Sequence, residues 1–213
     1  SGEPLNGVRD ILATDKYVVV IGDVQLTDPD DGSLLGEWKG PAILDLRAAN
    51  GVEQQIAEIT APAQRVDIGF TVLAASAAAE NRTASASAAA LMIEHGWSYL
   101  IEGTATKDGQ SIDFSFGLPL QTRYHSCING KDRTRGIVIE SNKTTGGFVY
   151  AHALHLFWDP LASGGENLRF DAFAAVSGDD GRVTLDELAA QDLTNLLDAD
   201  GAALRDADGH RVL

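Results

Sequence analysis

The sequence is poor in several things, and each shortage narrows the reading. It has one cysteine, Cys127, in 213 residues, so no internal disulfide framework can hold the fold. Basic residues are few: 16 Lys and Arg against 31 Asp and Glu, a net charge of -15 at pH 7. That balance leaves no surface able to neutralise phosphates, so nucleic acid is excluded as a partner, and anionic membrane surfaces are disfavoured. No apolar run approaches the roughly 18 to 20 residues that a spanning helix needs, so no transmembrane segment is expected. There is no Gly-Lys-Ser/Thr phosphate loop, no dinucleotide fingerprint, no Gly-x-Ser-x-Gly elbow and no His-Glu-x-x-His. An enzyme is therefore not expected, unless a metal ion were to activate water for hydrolysis.

What is present is mostly strand signal. An apolar content of 44% supports a folded core. Residues 17–26 are rich in β-branched side chains and end in the turn cluster Thr27-Asp28-Pro29-Asp30-Asp31-Gly32. Residues 41–47 form a short apolar run. Between 65 and 73 the pattern alternates, with Val66, Ile68, Phe70 and Val72 on one face, the period of a half-buried strand. Residues 97–106 and 110–118 flank Lys107-Asp108-Gly109, the strongest hairpin signal of the chain. Further strands are expected within 135–140 and 147–158. One helix is expected over 85–95, alanine-rich and stopped by Gly96. The fold class read from this pattern is mainly β: an antiparallel β-sandwich of about seven to eight strands with a small helix–loop–helix appendage at the C-terminal end.

Composition changes near residue 160. From Asp159 to Leu213 there are twelve acidic residues and four arginines, eight of the fifteen excess negative charges. Residues 168–175 and 184–193 have helical spacing. The expected division is a β-sandwich over 1–162 and an acidic, EF-hand-like helical tail over 163–213, with Asp-Ala-Asp-Gly turns at 198–201 and 206–209.

Histidine placement is the most informative chemical signal. Of five histidines, three lie at 125, 152 and 155. In His125-Ser126-Cys127 an imidazole and a thiol stand two residues apart, on one face if the segment is a strand. His152-Ala153-Leu154-His155 adds a His-x-x-His pair, convergent on a helical turn or bulge. Together His125, Cys127, His152 and His155 form a donor set suited to copper or zinc, with Asp159 or Glu102 able to orient a ring. A blue-copper arrangement does not fit, because no histidine closely follows Cys127 and Met92 is far upstream. The same residues also suit an ordinary β domain, with half-buried strand histidines and Cys127 as a small core side chain. His95 caps the helix end through the dipole, or belongs to a His95-Gly96-Trp97 variant of a copper site.

The loop 176–187 reads as the second half of an EF-hand. Asp180 takes the fifth position, Gly181 the sharp turn, Arg182 the carbonyl position and Glu187 the bidentate twelfth, with Asp179 or Ser177 able to compensate for Val176 and Gly178 at positions one and three. Calcium is the expected ion; a helix–loop–helix that keeps only its packing is the other reading. Trp38, Trp97 and Trp158 serve either as buried anchors or as stacking platforms for sugars.

Three passages carry a resemblance. They are Val18-Val19-Val20-Ile21-Gly22-Asp23-Val24-Gln25-Leu26 before an Asp-Gly turn, Ile43-Leu44-Asp45-Leu46 with Arg65-Val66-Asp67-Ile68-Gly69-Phe70, and the histidine segments around Tyr124–Cys127 and His152–Asp159. They resemble small exported bacterial β-sandwich domains, among them the periplasmic copper-binding proteins of methanobactin operons. The resemblance implies a periplasmic, secreted or lipoprotein location, a sandwich fold and a bound metal. The Ser1-Gly2-Glu3-Pro4 start, without a basic or apolar leader, fits a trimmed form of such a protein. The expected function is copper or zinc sequestration or delivery by the histidine cluster, with the metal ion and a periplasmic or cell-surface protein as partners. The alternative is a calcium-stabilised surface interaction or carbohydrate-binding module.

Overall fold

The structure is a computed structural model that describes residues 11–48, 53–107, 109–128, 133–151 and 170–190. Within them the chain is mainly β, with ten strands and three helices. It divides into two compact units. Unit 1 comprises Ser1–Tyr17, Ile101–Phe116 and Ala151–Leu213, and unit 2 comprises Val18–Leu100 and Gly117–Tyr150. Three strands, β1 (Ile11–Thr27), β6 (Tyr99–Lys107) and β7 (Gln110–Leu118), give residues to both.

Unit 2 is organised around the second half of β1. Val18–Ile21 pairs antiparallel with β3 (Ala42–Asp45), and Val24–Thr27 pairs with β2 (Leu34–Trp38) on one side and β4 (Arg65–Val72) on the other. A strand buried on both faces needs an unbroken apolar run, and Val18-Val19-Val20-Ile21 supplies it. Val18 and Val20 pack with Ile43, Ala88, Ala89, Met92 and Leu100, while Val19 and Ile21 pack with Leu44 and Val72 on the opposite face.

The first cluster is roofed by α1 (Ala86–His95), whose small alanines let it sit close to the strands. Ser85 caps its start by accepting a hydrogen bond from the Ala88 amide at 3.2 Å. Gly96, at φ 64°, ends it in the left-handed conformation. Met92 is fully buried, which contributes roughly 1.5–3 kcal/mol.

β4 is the strand that positions the candidate site. Its far edge is bordered twice: β8 (Thr122–Tyr124) pairs with Phe70–Val72, and β9 (Ile137–Val138) pairs with Arg65–Val66. Between these two stretches Gly69 lies against Tyr124 and His125, and Gly136 lies against Val66 and Asp67.

In unit 1, β7 alternates as expected, with Ile112, Phe114 and Phe116 buried. The Phe114 and Phe116 rings stack at 5.4 Å, and Phe173 of α2 (Phe170–Val176) meets Phe116 at 5.9 Å. After α2 the chain turns into β10 (Arg182–Thr184) and α3 (Leu185–Ala190).

The purely antiparallel arrangement expected from sequence is corrected here to a mixed one. β10 runs parallel to β7, and β3 runs parallel to β5 (Glu80–Asn81). Alternation in sequence fixes which face a side chain takes, but not the direction of the neighbouring strand. The strands beyond the expected seven or eight are short pieces, such as β5 and β8, whose exposed residues carry no alternation to detect. Residues 147–151, expected to open a strand, carry no regular structure, and the rest of 147–158 lies outside the described residues. No helix among the described residues is long and apolar enough to cross a membrane.

Candidate metal centre

The segment that carries His125 and Cys127 begins where β8 ends. Tyr124 is the last strand residue, and its ring stacks on Phe70 at 4.7 Å with 20° between the planes. Ser126 then adopts φ 55°, a left-handed conformation that breaks the strand. His125 and Cys127 therefore do not stand on one face of a strand, contrary to the expectation from their spacing. His125 is exposed, with Nδ1 3.1 Å from Ser126 Oγ, and its backbone passes against Gly69 of β4.

Cys127 is half-buried and its thiol is free. Its carbonyl accepts a hydrogen bond from the Gly136 amide at 2.9 Å, and Ile128 bridges Arg135 in antiparallel fashion. The returning limb is tied to β4 by Arg65, whose Nη1 donates to Thr134 Oγ1 at 3.2 Å and to the Arg135 carbonyl at 2.9 Å. Gly136 is the one residue type that fits its place. Its φ is 68°, and a Cβ there would stand 2.1 Å from the Val66 carbonyl oxygen and 3.1 Å from Asp67 Oδ1.

Asp67 lies under this crossing and is only 2% exposed. Arg135 forms an ion pair with Oδ2 through Nη2, while its own side chain stays about half exposed. Oδ1 has no hydrogen-bond partner among the described residues. Burial raises the Cys127 thiol above the ordinary thiol range, and the negative charge of Asp67 raises it further. The site therefore holds a neutral thiol beside a buried carboxylate.

Sequence reasoning placed Asp67 in a strand without singling it out. Alternation put it on the polar face, and nothing local told that the returning limb would cover it. His152, His155 and Asp159 lie outside the described residues. Glu102, considered as an orienting group for a ring, is instead engaged within unit 1 by Lys16 Nζ at 2.6 Å, Ser115 Oγ at 3.0 Å and Arg182 Nη2 at 3.5 Å. Burial alone would raise its carboxyl, but these partners outweigh burial and hold it below the usual range. Among the described residues no three His, Cys, Asp or Glu side chains form a group that could hold a metal ion.

The EF-hand-like loop keeps the turn but assigns its groups to structure. Asp180 Oδ1 accepts from the Arg182 amide at 3.0 Å, and Asp179 is exposed. Glu187 Oε2 accepts from the Thr184 amide at 2.7 Å and from Thr184 Oγ1 at 2.8 Å, and the Glu187 amide returns a bond to Thr184 Oγ1 at 3.3 Å. This is a reciprocal capping box at the start of α3, which Thr184-Leu185-Asp186-Glu187 spells in the sequence. Trp38 is half-buried beneath the Arg82 guanidinium at 5.0 Å, and Trp97 is half-buried with His95 stacked on it at 4.5 Å. The two tryptophans pack against different core clusters and form no common platform. Compared with known proteins, the chain matches no family model, no curated protein and no solved structure.

Proposed function

We propose that this chain is an extracytoplasmic metal-binding protein that sequesters or delivers copper or zinc without turning over a substrate. His125 and Cys127 are its donors in unit 2, and His152 and His155 are the further donors that the sequence offers. The proposed architecture is a β-sandwich with a small helical appendage. The observation that carries the reading is the setting of the chain's one thiol. Cys127 is neither a surface residue nor part of the apolar core; it is half-buried beside a buried carboxylate, with its backbone pinned by Gly136. A thiol that serves only as packing belongs among apolar side chains, whereas a thiol near other donors suits a soft or borderline cation.

The test is metal content by mass spectrometry of the full chain, purified without an affinity metal, beside the His152→Ala/His155→Ala double variant. Stoichiometric copper or zinc in the wild type, lost in the variant, supports the reading. Calcium alone, unchanged by the substitutions, refutes it and favours a calcium-stabilised surface module. That second reading draws on the 176–187 loop, where Gly181 keeps the turn at φ 68° and Val183 is fully buried in β10.

A further inference from the structure

We propose that the face of β4 bearing Arg65 and Thr71 is a self-complementary docking surface for a second copy of this chain, with the acidic β1–β2 turn of each copy set on Arg123 of the other. The interface needs no metal ion, and all of its residues belong to unit 2.

The first ground is which side chains share that face. Residues alternate along a strand, and residues directly opposed on neighbouring strands point the same way. Arg65, Asp67, Gly69 and Thr71 therefore lie on one face of β4, while Val66 and Val72 on the other are buried in the core. Val138 of β9 opposes Arg65, and Arg123 of β8 opposes Thr71. On the far side Gln25 opposes Gly69, Thr27 opposes Asp67, and Leu34 of β2 opposes Thr27 in turn. Arg123 Nη2 donates to Gln25 Oε1 at 3.0 Å along this same face. Leu34 and Val138 are 53% and 48% exposed, so the face offers apolar surface to a partner.

The second ground is charge. Residues 117–150 hold five of the 16 basic residues and two of the 31 acidic ones, so this stretch is net positive in a strongly acidic chain. Among the described residues the Arg123 guanidinium meets only the neutral Gln25, and that of Arg65 only Thr134 Oγ1 and the Arg135 carbonyl. Exposed arginine beside exposed apolar residues is the composition of a protein interface. The turn after β1 has the opposite sign. Asp30 and Asp31 are exposed, and no cation pairs with either among the described residues; Asp31 Oδ1 accepts only from the Ser33 amide at 2.8 Å.

The third ground is placement. Gln64 Nε2 donates to Asp28 Oδ2 at 2.9 Å, which fixes the acidic turn at the Arg65 end of β4. Arg123 lies at the Thr71 end, roughly 20 Å further along the strand. A two-fold axis through the middle of the face lays the acidic end of one copy over the Arg123 end of the other, and does so twice. The net negative charge repels two copies at long range, but physiological salt screens that repulsion beyond about 8 Å and leaves the facing pairs their attraction.

The test is sedimentation velocity of the full chain from micromolar to hundred-micromolar concentration near pH 7. A reductant and a chelator are present, so that neither a Cys127 disulfide nor a metal ion joins two copies. The variants are Arg123→Glu and Asp30→Lys/Asp31→Lys, all at exposed positions. Asp30→Lys alone keeps the Asp31 bond to the Ser33 amide and serves should the double substitution disturb the turn. The expected result is a concentration-dependent dimer in the wild type, weakened at least about tenfold in each variant. An equal mixture of the two variants should recover wild-type association, because each contact then pairs opposite charges again. The lysine variant separates local pairing from net charge: it lowers the overall repulsion, so net charge alone would make it associate more tightly than wild type. A wild type that stays monomeric throughout, an Arg123→Glu variant that dimerises like wild type, or a mixture that fails to recover association overturns the proposal. A monomeric wild type held by the anionic polysaccharide heparin, and released by Arg123→Glu, overturns the second copy as the occupant of this face.

Discussion

Replacing Arg135 by alanine isolates the electrostatic strain at the centre of this structure. In the wild type one guanidinium faces one oxygen of a carboxylate that is 2% exposed. Without it, both oxygens of Asp67 lack a protein partner among the described residues. Removing one member of a buried pair typically costs about 3–5 kcal/mol, because the remaining charge stays uncompensated. The Arg135 side chain is 49% exposed, so water reaches the pair from that side and part of the interaction is screened. The discounted expectation is a loss of about 2–3 kcal/mol. For a chain of this size that lowers Tm by about 4–12 °C. The assay is urea denaturation near pH 7 in the presence of a chelator, for wild type, Arg135→Ala, Asp67→Asn and the double variant. If the buried charge is the cause, neutralising it restores stability. Asp67→Asn/Arg135→Ala should then be more stable than the sum of its single variants by at least about 1 kcal/mol. A loss under about 0.5 kcal/mol in Arg135→Ala, or strict additivity in the double variant, refutes the reasoning.

Other substitutions probe the supports of the site and the fold. Gly136→Ala forces a left-handed alanine, costing about 1–2 kcal/mol, and drives its Cβ against the Val66 carbonyl; a clear drop in thermal stability with faster alkylation of Cys127 is expected. Ser85→Ala removes the cap of α1 and should cost about 0.5–2 kcal/mol in denaturant titrations, whereas Ser85→Gly should cost only a few tenths. The raised Cys127 thiol should alkylate more slowly than a free thiol at neutral pH, and Asp67→Asn should bring its titration only part of the way down, since burial is the larger cause. Glu102 contributes stability above the ordinary glutamate value, and this is lost as pH falls through its lowered one; Lys16→Met should therefore flatten the stability profile below about pH 4.3.

Much of the fold was legible because local rules govern it. The apolar run at 18–21, the alternation at 65–72 and 110–118, and the Ser85 and Gly96 caps each name their element directly. The parallel pairings of β5 and β10 were not legible, since they join segments far apart in sequence through two or three residues each. At the candidate site the sequence pointed to Cys127 and His125 by residue type alone. It could not show that Ser126 turns left-handed, which separates the two from a common strand face. Nor could it show that Asp67 is buried, because its cover comes from a limb about seventy residues later in the chain. The capping box at 184–187 was written in the sequence, but the EF-hand pattern uses the same glutamate and drew attention to calcium instead.

Ligation of a metal by Cys127 leaves a mark in X-ray absorption at the zinc edge of the full chain, loaded with Zn²⁺ and freed of excess metal. A Cys127 ligand gives one sulfur neighbour at about 2.3 Å together with nitrogen or oxygen neighbours at about 2.0–2.2 Å. A spectrum with light neighbours alone, or a chain that retains no zinc after exchange, would contradict it.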